Sequence, residues 1–102
     1  MIQLKKILNF INSKRNNHII RKYSLIHSSV INRGIKLRCD NPLTDKVYLK
    51  IQKDSIVSGE FIFESSTGQI TIGCHSYIGG GRFISKNKIE IGDNVTIAWG
   101  GV

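Results

Sequence analysis

Five side chains in this sequence are of the kinds that move protons near neutral pH, attack a carbonyl or bind a soft metal: His18, His27, His75, Cys39 and Cys74. The two cysteines stand far apart with no Cys-x-x-Cys spacing, which excludes the usual zinc patterns and argues against a disulfide framework. Free thiols are the reading. His75 directly follows Cys74, and a thiol activated by an imidazole would be a nucleophile. Adjacent residues point apart, however, so Cys74-His75 reads as an ordinary corner position, and Cys39 has no base beside it in sequence. His18 and His27 belong to a basic segment, where solvated or packing roles suit them. No metal site and no catalytic residue is assigned.

The element that would position such residues is a coil with a six-residue period. Ile72, Ile78 and Ile84 recur at a spacing of six, as do Ile91 and Ile97, and Ser76 and Val95 fall four places after Ile72 and Ile91. A helix needs apolar residues every three or four positions and a half-buried strand every second one. A six-residue unit suits instead a parallel β-coil of short flat strands joined by tight corners, with one aliphatic side chain per face pointing inward. Each coil exposes those side chains unless a neighbour covers them, so the structure is stable only as a capped stack. Gly73, Gly79 and Gly92, each after an inward Ile, fit places where the backbone turns or approaches the next coil. Asp93-Asn94 suits a corner, because short polar side chains tolerate left-handed backbone angles.

The same offsets thread through earlier residues. Ile51, Ser55, Val57, Phe61 and Phe63 make one coil; Ile72, Ser76, Ile78, Arg82 and Ile84 the next; Ile91, Val95, Ile97 and Gly101 the third. The starters are 21 and then 19 residues apart, so the residues beyond three sixes are expected in the polar corners 65–68 and 85–88. Phe61 and Phe63 are expected to close the column from below. Arg82 is the misfit: at an inward position its charge would be buried without a partner, so either its stem reaches solvent or the backbone departs from the regular coil there. Residues 27–43, with short apolar alternations and the Asn41-Pro42 pair, read as a strand and then a turn.

A chain of 102 residues has room for one small domain. With 40% hydrophobic and 22% charged residues and a single proline, it has the composition of a folded protein. No apolar run approaches the roughly 18 residues of a membrane span. The amino terminus carries lysines inside its apolar stretch and no small-residue cleavage site, so a signal peptide is not read and a cytoplasmic location is the expectation. The net charge of +8 is uneven, because nine cations precede the first acid, Asp40. Across residues 1–26, Leu4, Ile7, Leu8 and Ile11, then Ile19, Ile20 and Tyr23, fall at helical spacing, with Asn16-Asn17 suggesting a break between two short helices. This amphipathic segment is expected to cap the coil, and residues 1–38 also suit peripheral contact with an anionic membrane. Nucleic acid is the less suited partner: no aromatic interleaving, helix-turn-helix spacing or RNA-platform motif accompanies the cations. The chain divides into a basic cap segment, 1–45, and the coil, 46–102.

Residues 91–100, Ile-Gly-Asp-Asn-Val-Thr-Ile-Ala-Trp-Gly, resemble a segment of the hexapeptide-repeat acyltransferases, and Ile72-Gly73 with Ile78-Gly79-Gly80-Gly81 resembles the coil before it. That family includes serine acetyltransferase, maltose O-acetyltransferase and sugar O-acetyltransferases. The resemblance covers residues 47–102 and implies a mainly β fold, a left-handed parallel β-helix of about three coils preceded by a short basic amphipathic helix. It implies acetyl transfer from acetyl-CoA to a hydroxyl of a sugar or polysaccharide precursor, in a homotrimer with the coenzyme lying between subunits. It implies an active-site wall formed by Gly79, Gly81, Ser85, Trp99 and Gly100. The family's catalytic histidine follows the Trp-Gly segment, beyond Val102, so the expected base is outside these 102 residues. The alternative is a non-catalytic β-helix that serves as a structural or assembly module. A small nucleic-acid-binding protein is the weakest reading.

Overall fold

Short aliphatic alternations bounded by polar corners become short parallel strands. The computed structural model describes residues 14–98: a helix α1 (residues 14–23), then β1 (Ser24–Ile26), β2 (Ile31–Cys39), β3 (Leu49–Ile51), β4 (Ile56–Phe63), β5 (Gln69–Ile72), β6 (Tyr77–Ile84), β7 (Lys88–Ile91) and β8 (Thr96–Ile97). Alternate strands build two four-stranded parallel sheets, ordered β1-β3-β5-β7 and β2-β4-β6-β8. The chain is therefore mainly β and winds into a β-solenoid of about three turns, of the left-handed type, behind one short helix.

The inward columns are those the six-residue spacing anticipates. Ile51 pairs with Ile72 and Ile72 with Ile91, while Val57 pairs with Ile78 and Ile78 with Ile97. A parallel column from Leu49 to Ile70 to Ile89 lies beside the first. The middle members are buried, whereas Ile89, Ile91 and Ile97 are half-buried against the core. Burial of such columns supplies most of the stability, since three-residue strands have little to offer alone. Asp54, His75 and Asn94 turn equivalent corners with φ of 61°, 55° and 58°, so the Asp93-Asn94 corner is as expected.

Two features of the threading are corrected. Pairing shifts by one residue where β4 meets β6, between Ser58 and Glu60, because β6 carries Gly80-Gly81 opposite the lone Gly59. All three glycines have positive φ, and a Cβ on Gly59 would lie 3.1 Å from the Gly81 carbonyl oxygen, so an L side chain suits neither the angle nor the space. The extra residue hands the inward place to Phe83, which pairs with Phe61 and stacks on it at 5.1 Å and 11°. Arg82 consequently turns outward, 66% exposed with Nε 3.7 Å from Glu60 Oε1, and Ile84 is 52% exposed where the spacing puts it inside. The remaining length differences sit in the polar corners as anticipated, which narrow from residues 40–48 to 64–68 to 85–87.

The second correction concerns the base. β1 and β2 form a coil beneath β3 and β4, inside the span 1–45, so Phe61 and Phe63 belong to the second layer and rest on Leu37 and Cys39. The helix runs through Asn16-Asn17 without a break and ends at residue 23, where β1 begins. Ile19, Ile20 and Tyr23 pack against the core, and the Asn16 amide explains the continuity. Its Nδ2 donates to the Ile35 carbonyl at 3.0 Å and its Oδ1 accepts from the Leu37 N–H at 3.0 Å. One side chain thus satisfies two of the edge groups of β2 that a further strand would have paired, and the helix caps the coil as the amphipathic pattern anticipates. Leu4, Ile7, Leu8 and Ile11 lie outside the described residues.

Candidate functional site

Stacked corners bring together residues 16 to 25 apart in sequence, and one such stack is the most structured polar feature among the described residues. Its interior is a serine ladder. Ser55 Oγ donates to the Gly73 carbonyl at 2.7 Å and accepts from Ser76 N at 3.0 Å; Ser76 Oγ donates to the Gly92 carbonyl at 2.8 Å and accepts from Val95 N at 3.2 Å. Both serines are buried, and each hydroxyl is consumed by backbone groups that would otherwise be orphaned at the corner. Asp93 completes the stack by accepting the Cys74 N–H at 2.7 Å.

Outside this ladder, a groove of about 510 Å³ is lined by Leu25, His27, Lys50, Gln52, Lys53 and Cys74, with Ile51 at its floor. Local hydrogen bonds decide what the groove presents. The Ser29 N–H donates to His27 Nδ1 at 3.1 Å, so the neutral imidazole carries its proton on Nε2. Ser29 Oγ, 2.8 Å from the same nitrogen, also accepts from the Asp54 N–H, which ties the ring to the next corner up. Cys74 Sγ donates to Gln52 Oε1 at 3.3 Å, leaving the Gln52 amide N–H groups uncommitted. Two ammonium groups, an imidazole N–H and an amide NH₂ around an apolar floor form a lining of donors, complementary to an anion with an apolar part.

Nucleophilic chemistry is not assembled here. Cys74 reaches toward Gln52, while His75 Nε2 lies 3.9 Å from Asp54 Oδ2, so the adjacent side chains diverge as adjacent corner residues do. Cys39 is free and half-buried, and burial, aided by the Asp40 charge, pushes its thiol up to about 11. At neutral pH it is a protonated packing group. Among the described residues, no three His, Cys, Asp or Glu side chains gather in a way that could hold a metal ion, and no helix is long and apolar enough to cross a membrane.

The residues that the resemblance assigns to the active-site wall fall as follows. Gly79 pairs with Ser58 on the outer part of β6, and Gly81 forms the bend above Gly59. Ser85 is 1% exposed at a different corner, where its hydroxyl accepts from Gln69 N at 3.2 Å and bonds to the Asn87 carbonyl. Five residues of bent strand separate Gly79 from Ser85, a span of up to about 20 Å of chain. Trp99 and Gly100 lie outside the described residues. Sequence reasoning passed over Lys50, Gln52 and Lys53. The signal was available, because Lys50 alternates with inward Leu49 and Ile51, and Gln52 and Lys53 open a corner, but the threading followed inward positions only. No protein-family model, curated protein or solved structure matches the chain.

Proposed function

We propose that this chain is the scaffold of a hexapeptide-repeat-type acetyltransferase, acting from acetyl-CoA on a hydroxyl of a sugar or polysaccharide precursor. The observation that carries the reading is the placement of residues 91–97, Ile-Gly-Asp-Asn-Val-Thr-Ile: they form strand, left-handed corner and strand within a parallel solenoid, the unit that the resemblance implies. The donor-lined groove adds support, since a phosphorylated coenzyme is an anion with an uncharged arm that carries amide acceptors. In the reaction a base removes the acceptor hydroxyl proton, the oxygen attacks the thioester carbonyl, the C–S bond breaks and coenzyme A leaves as its thiol. None of His18, His27 and His75 is assigned the base; the described coils contribute binding surface. The same reading carries a cytoplasmic homotrimer with the coenzyme between subunits, and an active-site wall at Gly79, Gly81, Ser85, Trp99 and Gly100.

Titration calorimetry with acetyl-CoA tests this reading. Saturable binding is expected, weakened at least fivefold in Lys50→Ala/Lys53→Ala; no heat up to about 1 mM, the concentration matching roughly −4 kcal/mol of binding, overturns it. A second reading, a non-catalytic assembly module, is favoured by Ile89, Ile91 and Ile97, column side chains that are only half-buried. It predicts no acetyl-CoA binding together with concentration-dependent association in sedimentation velocity.

A further inference from the structure

The charge of this molecule is concentrated at one end. Helix α1 and β2 hold seven cations, Lys14, Arg15, Arg21 and Lys22 on the helix and Arg33, Lys36 and Arg38 on the strand, with no acid among residues 14–39. Residues 40–98 hold six cations against all seven acids, close to neutrality. The helix-capped base of the solenoid is therefore positive, and the coils above it are balanced.

On the helix the separation is angular as well. At about 100° per residue, Lys14, Arg15, His18, Arg21 and Lys22 fall within an arc of roughly 120°, opposite Asn16, Ile19, Ile20 and Tyr23. The first group is exposed and the second half-buried against the first coil. Between the cations lies a depression of about 340 Å³ lined by Lys14, Asn17, His18 and Arg21, roomy enough for an anionic headgroup. Lys22 rests 5.4 Å from the Tyr23 ring centroid, and Arg38 is paired with Asp40 at 3.0 Å. Arg15 and Arg21 make no ion pair among the described residues, an uncompensated arrangement that a folded protein gains nothing from internally.

We infer that the outward face of α1 docks on the surface of an anionic lipid bilayer, with the cap side of the helix held to the solenoid. Cationic side chains near such a surface each add roughly fivefold to partitioning, so this face is strong enough to matter and is screened by salt. A bilayer fits better than a nucleic acid for a reason in the sequence. Residues 1–13 carry Leu4, Ile7, Leu8 and Ile11 among Lys5 and Lys6, and attachment to a membrane surface grows with apolar side chains as well as with attraction to anionic lipid. A phosphate backbone offers those aliphatic side chains nothing, and the exposed arc of α1 holds no Phe, Tyr or Trp to stack on a base. The inference is independent of any acyltransferase activity.

The test is co-sedimentation of the full chain with vesicles of phosphatidylcholine containing about 30% phosphatidylserine, against pure phosphatidylcholine, between about 0.05 and 0.5 M salt. Binding to the anionic vesicles is expected, with partitioning at least tenfold lower at high salt. Arg15→Glu/Arg21→Glu should lower it about 25-fold or more with unchanged far-ultraviolet circular dichroism, while Lys86→Glu, on a remote corner, should change it less than threefold. Arg15→Gln/Arg21→Gln serves if the reversed charges disturb folding. Equal binding to neutral vesicles, indifference to the helix substitutions, or displacement from anionic vesicles by a short DNA duplex at equal charge would each overturn the inference.

Discussion

Gly73 and Gly92 occupy the same place in consecutive coils, each directly after a column isoleucine, yet replacing them should have opposite consequences. A Cβ on Gly73 would collide with Asp93 Oδ1 and lie 2.6 and 2.7 Å from the Gly92 carbonyl carbon and oxygen, whereas a Cβ on Gly92 meets nothing within 4 Å. In Gly73→Ala the carboxylate can swing away, but it then releases the Cys74 N–H that it accepts at 2.7 Å, and the Gly92 backbone cannot move without shifting its whole coil. Overpacking against backbone costs about 1–3 kcal/mol, and losing a charge-assisted hydrogen bond about 1.5–3 kcal/mol. The combined loss of about 3–5 kcal/mol is a large part of the roughly 5–15 kcal/mol that holds a small domain. With a urea slope of about 1–3 kcal/mol/M, the unfolding midpoint followed by circular dichroism should fall by about 2 M in Gly73→Ala and stay within about 0.3 M in Gly92→Ala. Equal midpoints for the two variants would refute the proposed close approach of the coils.

Ser76→Ala should cost about 1–3 kcal/mol and speed exchange of the Val95 amide hydrogen, whose acceptor is lost; unchanged protection would remove the serine ladder from the account. Phe83→Ala should destabilise by about 1.5–3 kcal/mol in the same urea assay because its half-buried ring stacks on buried Phe61, while Arg82→Ala, breaking only an exposed pair, should stay within about 0.5 kcal/mol. Reversed magnitudes would restore the unshifted threading. Because only a thiolate alkylates, Cys39 in a Cys74→Ser background should react slowly at pH 8 and about tenfold faster per pH unit as pH rises toward 11; a fast rate at pH 8 would contradict its burial.

The columns were legible because an aliphatic residue at every sixth position satisfies neither helix nor simple strand, and Ile51, Ile72 and Ile91 stack as that pattern demands. The glycine bend was not, since Gly79-Gly80-Gly81 reads as permissive backbone without saying which glycine adds the extra residue; only pairing with Ser58 and Glu60 decides it. The first coil escaped because Asn32 stands where the column wants an aliphatic side chain, opposite Val57, and its Oδ1 instead accepts from Gly34 N and Ile35 N. Tyr48 was equally silent in the sequence. It is fully buried, accepts from Leu43 N at 2.8 Å and donates to the Ser66 carbonyl at 3.2 Å, pinning two corners whose polar text gives no hint of an anchor. The groove depends on outward residues from successive layers, which become neighbours only once the layers are in register.

Asn16 has a consequence for growth. Parallel coils are an addition polymer in miniature, each layer templating the next through its free backbone groups, and β2 would be a reactive end. The Asn16 amide occupies that end as a terminating monomer does, matching one donor and one acceptor and offering no new edge in return. At the base, two of the groups on which another coil would begin are thus already held by one side chain.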